Sequence, residues 1–114
     1  MATFDVSAEK DRDAGTWVVS VSGDLDISAV PDVHRAVLEA ERDGSHRLAL
    51  DLSGVVHLDS SGVRVLLDAA GRARREGRRL VVVAPAEGPV GRLLELTLLA
   101  DHLDVVRDLD AALA

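Results

Sequence analysis

Three side chains that can carry chemistry stand together where an apolar strand-like stretch changes into an apolar helix-like stretch. The segment HLDSSGVRVLL, residues 57–67, places Asp59, Ser60 and Ser61 at this junction, and Gly62 follows them. All three side chains are good N-terminal caps of helices, and one cap contributes about 1 kcal/mol. A helix needs only one of them. The others leave two further possibilities open: a nucleophilic serine, or a serine that another protein modifies.

A nucleophilic serine has little support in the chain. The esterase pattern G-x-S-x-G would need a glycine at position 58, which is Leu58. On a strand, His57 would share a face with Asp59, but no third group accompanies them, and the other histidines are scattered along the sequence. We therefore expect no hydrolase and, more generally, no enzyme.

Metal and nucleotide sites are also disfavoured. The stretch DLDIS, residues 24–28, begins like a calcium-binding loop, but its sixth position is Ala29 instead of glycine and its twelfth is Arg35 instead of glutamate. The phosphate-binding pattern G-x-x-x-x-G-K-[ST] does not occur. We expect neither a metal nor any other cofactor.

Covalent modification by a kinase suits the junction better. A phosphate at a helix N-terminus adds roughly −1.5 to −2 charges, which the helix dipole tolerates. A partner docked over the junction would not tolerate them, especially beside Asp59 and the carboxylates Asp24 and Asp26, if those two loops adjoin. Phosphorylation would then switch binding without disturbing the fold. The residues alone do not choose between Ser60 and Ser61.

Composition limits the class of protein. The 114 residues predict a single domain, 1–114. The absence of cysteine excludes disulfides and thiol chemistry and suits a reducing cytosol. We expect a soluble cytoplasmic protein, because the apolar runs are of strand length and the N-terminus lacks a signal-peptide pattern. The net charge of −7 argues against direct nucleic-acid binding.

One basic run departs from this acidic balance. GRARREGRR, residues 71–79, contains five arginines. We interpret it as the end of a helix and the start of a strand, since cations stabilise a helix C-terminus. A partner-binding patch is the alternative.

Hydrophobic periodicity orders the elements as ββαβαβαβα. We expect strands at 4–8, 16–23, 46–54, 78–84 and 103–108, with a polar hairpin turn at 9–15 between the first two. Helices are expected at 30–44, 60–77, 88–100 and 109–114. Val30, Val33, Val37 and Ala40 should form the buried face of the first helix, and Val63, Leu66, Leu67 and Ala70 that of the second. The fold class is therefore α/β: a mixed sheet of four to five strands with an N-terminal hairpin and helices mainly on one face.

Three long stretches carry a resemblance to a known family: GDLDISAVPDVHRAVLEA, RLALDLSGVVHLDSSGVRVLL and VGRLLELTLLADHLDVV. In order and over nearly the whole chain they resemble bacterial STAS-domain proteins, and more narrowly anti-sigma factor antagonists of the SpoIIAA/RsbV type. The strand-end GDLD and the LDSSG corner, at this separation in a stand-alone domain, are the most specific marks.

The resemblance implies a STAS-like fold and a role as an anti-anti-sigma factor. The unphosphorylated protein would bind an anti-sigma factor that is also a serine kinase and so free a sigma factor. The kinase would phosphorylate Ser60, and a PP2C-type phosphatase would restore the binding form. The implied partner-binding residues are Asp24, Asp26, Asp59, Ser61, Gly62, Arg64 and Asp68. By spacing, Arg64, Asp68 and Arg72 should point outward from the second helix. The protein would be a monomer or weak dimer that binds neither nucleic acid directly nor membranes.

Two alternatives to this role remain. The chain could be a STAS interaction module of another assembly, stressosome-like or part of a lipid-transport complex, without serine phosphorylation. It could also be a small hydrolase using Ser60. Two departures from the family pattern stand out: Leu98, in TLL where a glycine is frequent, and Arg64, where small or uncharged residues are common.

Overall fold

Five strands form one mixed sheet in the computed structural model, which describes residues 3–11, 15–44 and 46–114. The strands are β1 (Phe4–Asp11), β2 (Thr16–Leu25), β3 (Arg47–Leu58), β4 (Arg79–Val83) and β5 (Asp104–Val106), and they lie side by side in chain order. β1 and β2 are antiparallel, and the other neighbours are parallel. This confirms the predicted mixed sheet and hairpin. β1 extends through the first part of the predicted turn to Asp11, which pairs with Thr16. Residues 12–14 of that turn lie outside the described residues.

Four helices cover the two faces of the sheet unequally. They are α1 (Val30–Arg42), α2 (Ser60–Arg75), α3 (Pro89–Thr97) and α4 (Leu109–Leu113). α1, α2 and α3 pack on one face, over a core that includes Val19, Leu50 and Val82. α4 packs on the other face, where Ala112 contacts a small cluster of Ala49, Val81 and Val83. β4 is buried on both sides, which explains its uninterrupted β-branched sequence. No helix in the described part of the chain is long and apolar enough to cross a membrane.

The buried faces of α1 and α2 differ in part from the predicted ones. In α1 the buried residues are Val33, Ala36, Val37 and Ala40, and Val30 is only partly buried. In α2 they are Gly62, Leu66, Ala69 and Ala73. The expected Val63, Leu67 and Ala70 are half-buried instead. In α2, small residues at three of the four buried positions let the helix backbone approach the sheet closely, so Val63 and Leu67 lie at the margin of the contact.

Two further element boundaries differ from the predicted ones by three or more residues. β3 does not end at Gly54 but continues to Leu58, because β2 also extends further and pairs with it. The pairing register shifts once on each side of Ser22, as happens where a strand contains a bulge. α3 ends at Thr97 instead of residue 100. Leu98 adopts a left-handed conformation (φ 60°), and a short 3₁₀ helix, Leu99–His102, follows.

The arginine-rich run joins α2 to β4, as predicted. Four of its five guanidinium groups contact the domain itself. Arg74 donates to the His102 carbonyl oxygen (3.2 Å), and Arg79 pairs with Asp104 (3.1 Å). Arg72 and Arg78 both pair with Glu41 of α1 (3.0 and 3.4 Å). These contacts favour the structural interpretation of the run over a partner-binding patch.

The hairpin is tied to the end of α1 through Asp43. The Asp43 carboxylate accepts hydrogen bonds from the Trp17 indole (2.8 Å) and the Lys10 ammonium group (2.9 Å). The Trp17 bond, followed by the Lys10 bond, lowers the pKa of Asp43 from its ordinary value of 3.8. This carboxylate is therefore a pH-sensitive link between β1, β2 and α1.

Candidate functional site

The carboxyl ends of β2 and β3 bring the GDLD and LDSSG segments together. In the parallel register Asp24 lies opposite His57, and Leu25 lies opposite Leu58. One residue further, the Asp59 main-chain N–H donates to the Leu25 carbonyl oxygen (3.4 Å). The two loops therefore adjoin, as the predicted clustering of acidic side chains requires.

Asp59 is the N-terminal cap of α2. Its backbone is extended (φ −115°, ψ −173°), and its Oδ1 accepts hydrogen bonds from the main-chain N–H groups of Ser61 (2.9 Å) and Gly62 (3.2 Å). Neither serine side chain caps the helix. One carboxylate oxygen thus satisfies two of the helix's free donors, which leaves both hydroxyl groups unnecessary for capping.

The two serines differ in accessibility. Ser60 is the first residue of α2 and is exposed, whereas Ser61 is partly buried. Among the described residues, none forms a hydrogen bond with the Ser60 hydroxyl, so neither a histidine nor a carboxylate is positioned to activate it as a nucleophile. The arrangement presents Ser60 to solvent and to other proteins.

Gly62 holds the start of α2 against the end of β2. A Cβ atom on Gly62 would collide with the Leu25 carbonyl oxygen and would lie 2.5 Å from Leu58 Cδ1. The chain can approach so closely only because Gly62 lacks a side chain. Gly62 is buried, and its close contact with Leu25 fixes where the adjoining Asp59 and Ser60 lie at the end of β2.

The acidic loop after β2 is itself ordered by local hydrogen bonds. Asp24 is partly buried, and its N–H donates to the Thr3 carbonyl oxygen (2.9 Å). Asp26 Oδ1 accepts from the Ser28 N–H (2.9 Å), and the Asp26 carbonyl oxygen accepts from the Ala29 N–H (3.0 Å). Asp26 therefore stabilises the turn that leads into α1, and its carboxylate is held in the loop directly after β2.

Two exposed apolar side chains lie close in sequence to these acidic residues, and neither was predicted from the sequence. Ile27 is 73% exposed, and Val56 is 63% exposed. Ile27 follows Asp26 directly, and Val56 precedes His57 on the last residues of β3. An isoleucine within an acidic turn was the available signal for the first. Val56 could not be recognised because β3 was expected to end before it.

The outer face of α2 continues from the corner. Arg64 and Asp68 are exposed, as predicted. Arg72 is not: its Nε donates to both carboxylate oxygens of Glu41 (3.1 and 3.0 Å), which draws its side chain towards α1. The prediction that Arg72 points outward is wrong. Asp68 also lines a groove of about 90 Å³ between α1 and α2, together with His34.

Other surface features lie away from this corner. A hollow of about 640 Å³ is lined by residues of β1, β2 and α4, including Glu9, Val18 and Leu113. Within the described residues, no group of three or more histidine, aspartate or glutamate side chains is arranged to hold a metal ion. The acidic corner that contains Ser60 is consequently the candidate site.

Comparisons with known proteins find relatives that match most of the chain. The family model described as Mlab, STAS domain matches residues 8–108. An anti-sigma-B factor antagonist of Staphylococcus epidermidis is 26% identical over 89 residues, which is 78% of this chain and 82% of that protein. The crystal structure of an anti-sigma factor antagonist from Mycobacterium paratuberculosis superposes with a TM-score of 0.78 at 30% identity, over 96% of this chain and 91% of the other. SpoIIAA of Bacillus in its phosphorylated form shares the fold, with a TM-score of 0.68 at 20% identity over 94% of this chain and 96% of its own.

Proposed function

Since the chain belongs to the STAS domain family, we propose that it is an anti-sigma factor antagonist switched by phosphorylation of Ser60. Unphosphorylated, it binds an anti-sigma factor with serine kinase activity and frees a sigma factor. The observation that carries this proposal is the exposed Ser60 hydroxyl, which is not used for capping and lies directly after Asp59 at the corner shared with the GDLD loop. The names of its relatives from Staphylococcus epidermidis and Mycobacterium paratuberculosis support the role.

The docking surface combines apolar anchors with acidic groups. Exposed Ile27 and Val56 supply apolar area of the kind that forms the centre of an interface. Asp24, Asp26 and Asp59 supply negative charge beside it, and Arg64 and Asp68 continue the surface along α2. A partner with a basic rim around an apolar pocket suits this surface. Ser61 and Gly62, the remaining residues expected to bind the partner, lie beside Ser60 at the start of α2 and are less exposed than Ser60.

Phosphorylation changes the charge of this surface at its centre. The kinase transfers the γ-phosphoryl group of ATP to Ser60 Oγ: a new O–P bond forms, the bond to the β-phosphate oxygen breaks, ADP leaves, and the hydroxyl proton passes to a base or to solvent. The new group adds roughly −1.5 to −2 charges. A PP2C-type phosphatase reverses the step with water, which releases inorganic phosphate and restores the hydroxyl group.

The domain tolerates the phosphate better than the complex does. Ser60 is exposed at the first turn of a 16-residue helix, so the phosphate displaces no core atom and lies at the favourable end of the helix dipole. A docked partner would instead have to bury a dianion beside existing carboxylates, at a cost of several kcal/mol. The switch therefore acts on binding and leaves the fold intact. We place the protein in the cytoplasm, as a monomer or weak dimer.

The choice of serine can be tested directly. The protein is incubated with an anti-sigma kinase and ATP, and the modified residue is located by mass spectrometry. We expect one phosphate, on Ser60. Ser61→Ala should still accept it and Ser60→Ala should not. A phosphate found on Ser61 in the wild-type protein, or none on either serine, would contradict the proposal.

A second candidate function has its own support. The matching family model is described as Mlab, and the chain could accordingly be the STAS interaction module of a different assembly, such as a lipid-transport complex, in which the serine is not phosphorylated. In that case Ser60→Ala and Ser60→Glu should bind the assembly equally well. A large difference between the two variants would favour the phosphorylation switch.

A further inference from the structure

One exposed arginine of α2 is placed to pair with a phosphate on Ser60. Resting on the proposed function of Ser60, we propose that Arg64 pairs within the same chain with the phosphate on Ser60 and stabilises its dianionic form. Arg64 would thereby set the ionisation and the stability of the phosphorylated state.

Three main-chain donors at the start of α2, the N–H groups of Ser61, Gly62 and Val63, are already occupied. Asp59 Oδ1 accepts from the N–H groups of Ser61 and Gly62, and the Asp59 carbonyl oxygen accepts from the Val63 N–H (3.1 Å). A phosphate on Ser60 could use these amides only by displacing the cap. Apart from the N–H of Ser60 itself, its strong acceptor oxygens therefore depend on solvent or on a side-chain donor.

The charges around Ser60 make most neighbours unsuitable. Asp24, Asp26 and Asp59 repel a phosphate, and His57, opposite Asp24, lies on a strand and not on the face of α2. Arg72 already forms a salt bridge with Glu41. The corner thus combines several carboxylates with few available cations.

Arg64 follows Ser60 by four residues on the same helix, so the two side chains share a face with their Cβ atoms about 6 Å apart. Side chains of a helix lean towards its N-terminus, which directs Arg64 towards Ser60. Both residues are exposed, and among the described residues none forms an ion pair with Arg64. The planar guanidinium group can donate two parallel hydrogen bonds to one phosphate.

Asp68 is the internal competitor for Arg64. It lies four residues further along α2 and is exposed. An arginine preceding its acidic partner by four residues is the less favourable order on a helix, whereas an anionic residue preceding arginine is the better one. The phosphate also carries more charge than a carboxylate. Arg64 should therefore move towards phosphorylated Ser60.

The test uses phosphoserine installed at position 60 by genetic encoding in the full chain, so that it requires no kinase. The second pKa of the phosphate is measured by ³¹P NMR titration in the wild-type protein and in Arg64→Gln. Arg64 stabilises the dianion, so its removal should raise that pKa by about 0.3. Arg64→Lys should retain part of the effect, and Asp68→Asn, which removes the competing carboxylate, should lower the pKa further.

Arg75→Gln is the matched control, because Arg75 is an exposed arginine at the other end of α2, about 22 Å from Ser60 along the helix axis. Its removal should leave the phosphate pKa within about 0.1 of the wild-type value, given how strongly salt screens distant exposed charges. Equal pKa values in Arg64→Gln and Arg75→Gln would overturn the pairing.

A second measurement separates pairing from a general effect of Arg64 on folding. Thermal unfolding is followed for wild type and Arg64→Gln, each with and without the installed phosphate. Arg64→Gln should lower the midpoint temperature of unfolding by about 2 °C more when Ser60 carries the phosphate than when it does not. An equal change in both pairs would contradict the proposal. If no kinase modifies Ser60, the proposed function fails, while both measurements still decide whether Arg64 pairs with the phosphate.

Discussion

The main-chain N–H of Asp59 donates to the carbonyl oxygen of Leu25, which joins the end of β3 to the end of β2. This bond places the capping carboxylate and the exposed Ser60 beside the acidic loop that follows β2. Leu25 is fully buried in the core and Asp59 is exposed, so this hydrogen bond connects the core to the surface. The site is therefore positioned by the core of the domain and not by a free loop.

Gly62 should be intolerant of any side chain. Gly62→Ala gains helix propensity, but its methyl group collides with the Leu25 carbonyl oxygen. We expect a net loss of about 1–3 kcal/mol in the free energy of unfolding, measured by urea denaturation. Gly71→Ala, in the same helix, meets only the end of the Arg75 side chain at 3.4 Å and should gain about 0.5–1 kcal/mol. Equal effects of the two substitutions would argue against the close contact.

Leu98 should be a site of stored backbone strain. It adopts φ 60° while its side chain is 72% exposed, so a glycine would relieve strain and lose little buried area. Leu98→Gly should stabilise the protein by about 1 kcal/mol. Leu96→Gly, within α3 and 84% exposed, should instead destabilise it by about 1 kcal/mol. Thermal unfolding of both variants checks the contrast, and destabilisation by Leu98→Gly would contradict it.

Capping by Asp59 should be separable from its charge. Asp59→Ala removes the acceptor for two main-chain N–H groups and should cost about 1 kcal/mol of unfolding free energy. Asp59→Asn keeps an acceptor and should remain within a few tenths of a kcal/mol of wild type. Urea denaturation gives both values. If the alanine variant proves as stable as the asparagine variant, the cap does not stabilise α2.

Stability should fall in acid partly through Asp43. Hydrogen bonds from Trp17 and Lys10 lower the pKa of Asp43 in the folded state. Its contribution is therefore present above its unfolded pKa of 3.8 and is lost as the pH falls through the lower folded value. Trp17 fluorescence during urea unfolding at several pH values below about 4 should show this loss in wild type. Asp43→Asn should lack that part of the pH dependence, while Asp5→Asn, an exposed carboxylate on β1, should retain it.

The sequence predicted the order and type of the elements because hydrophobic periodicity reports burial directly. It missed features that depend on tertiary contacts. Periodicity favoured Val63, Leu67 and Ala70 for the buried face of α2, whereas close packing against the sheet selected Gly62, Ala69 and Ala73. Arg72 has the spacing of an exposed residue, but Glu41 on a different helix draws it inwards.

The candidate corner was predicted more completely than its internal arrangement. Asp59, Ser60 and Ser61 are all capping residues, so composition could not assign the cap. The backbone decides it, because only Asp59 has the extended conformation that directs its side chain to the free N–H groups. The exposure of Ile27 and Val56 could not be predicted from the sequence either, because it depends on where β2 and β3 end.

The most direct test of the central claim is the dissociation constant between the anti-sigma kinase and this protein, measured by titration calorimetry with and without phosphate on Ser60. Wild type and Ser60→Ala should bind alike, because the hydroxyl group itself is not needed for docking. The phosphorylated protein should bind at least about 100-fold more weakly, and Ser60→Glu should also bind poorly. Dissociation constants within about threefold of each other for all four proteins would contradict the phosphorylation switch, since RT ln 3 is well below the expected repulsion.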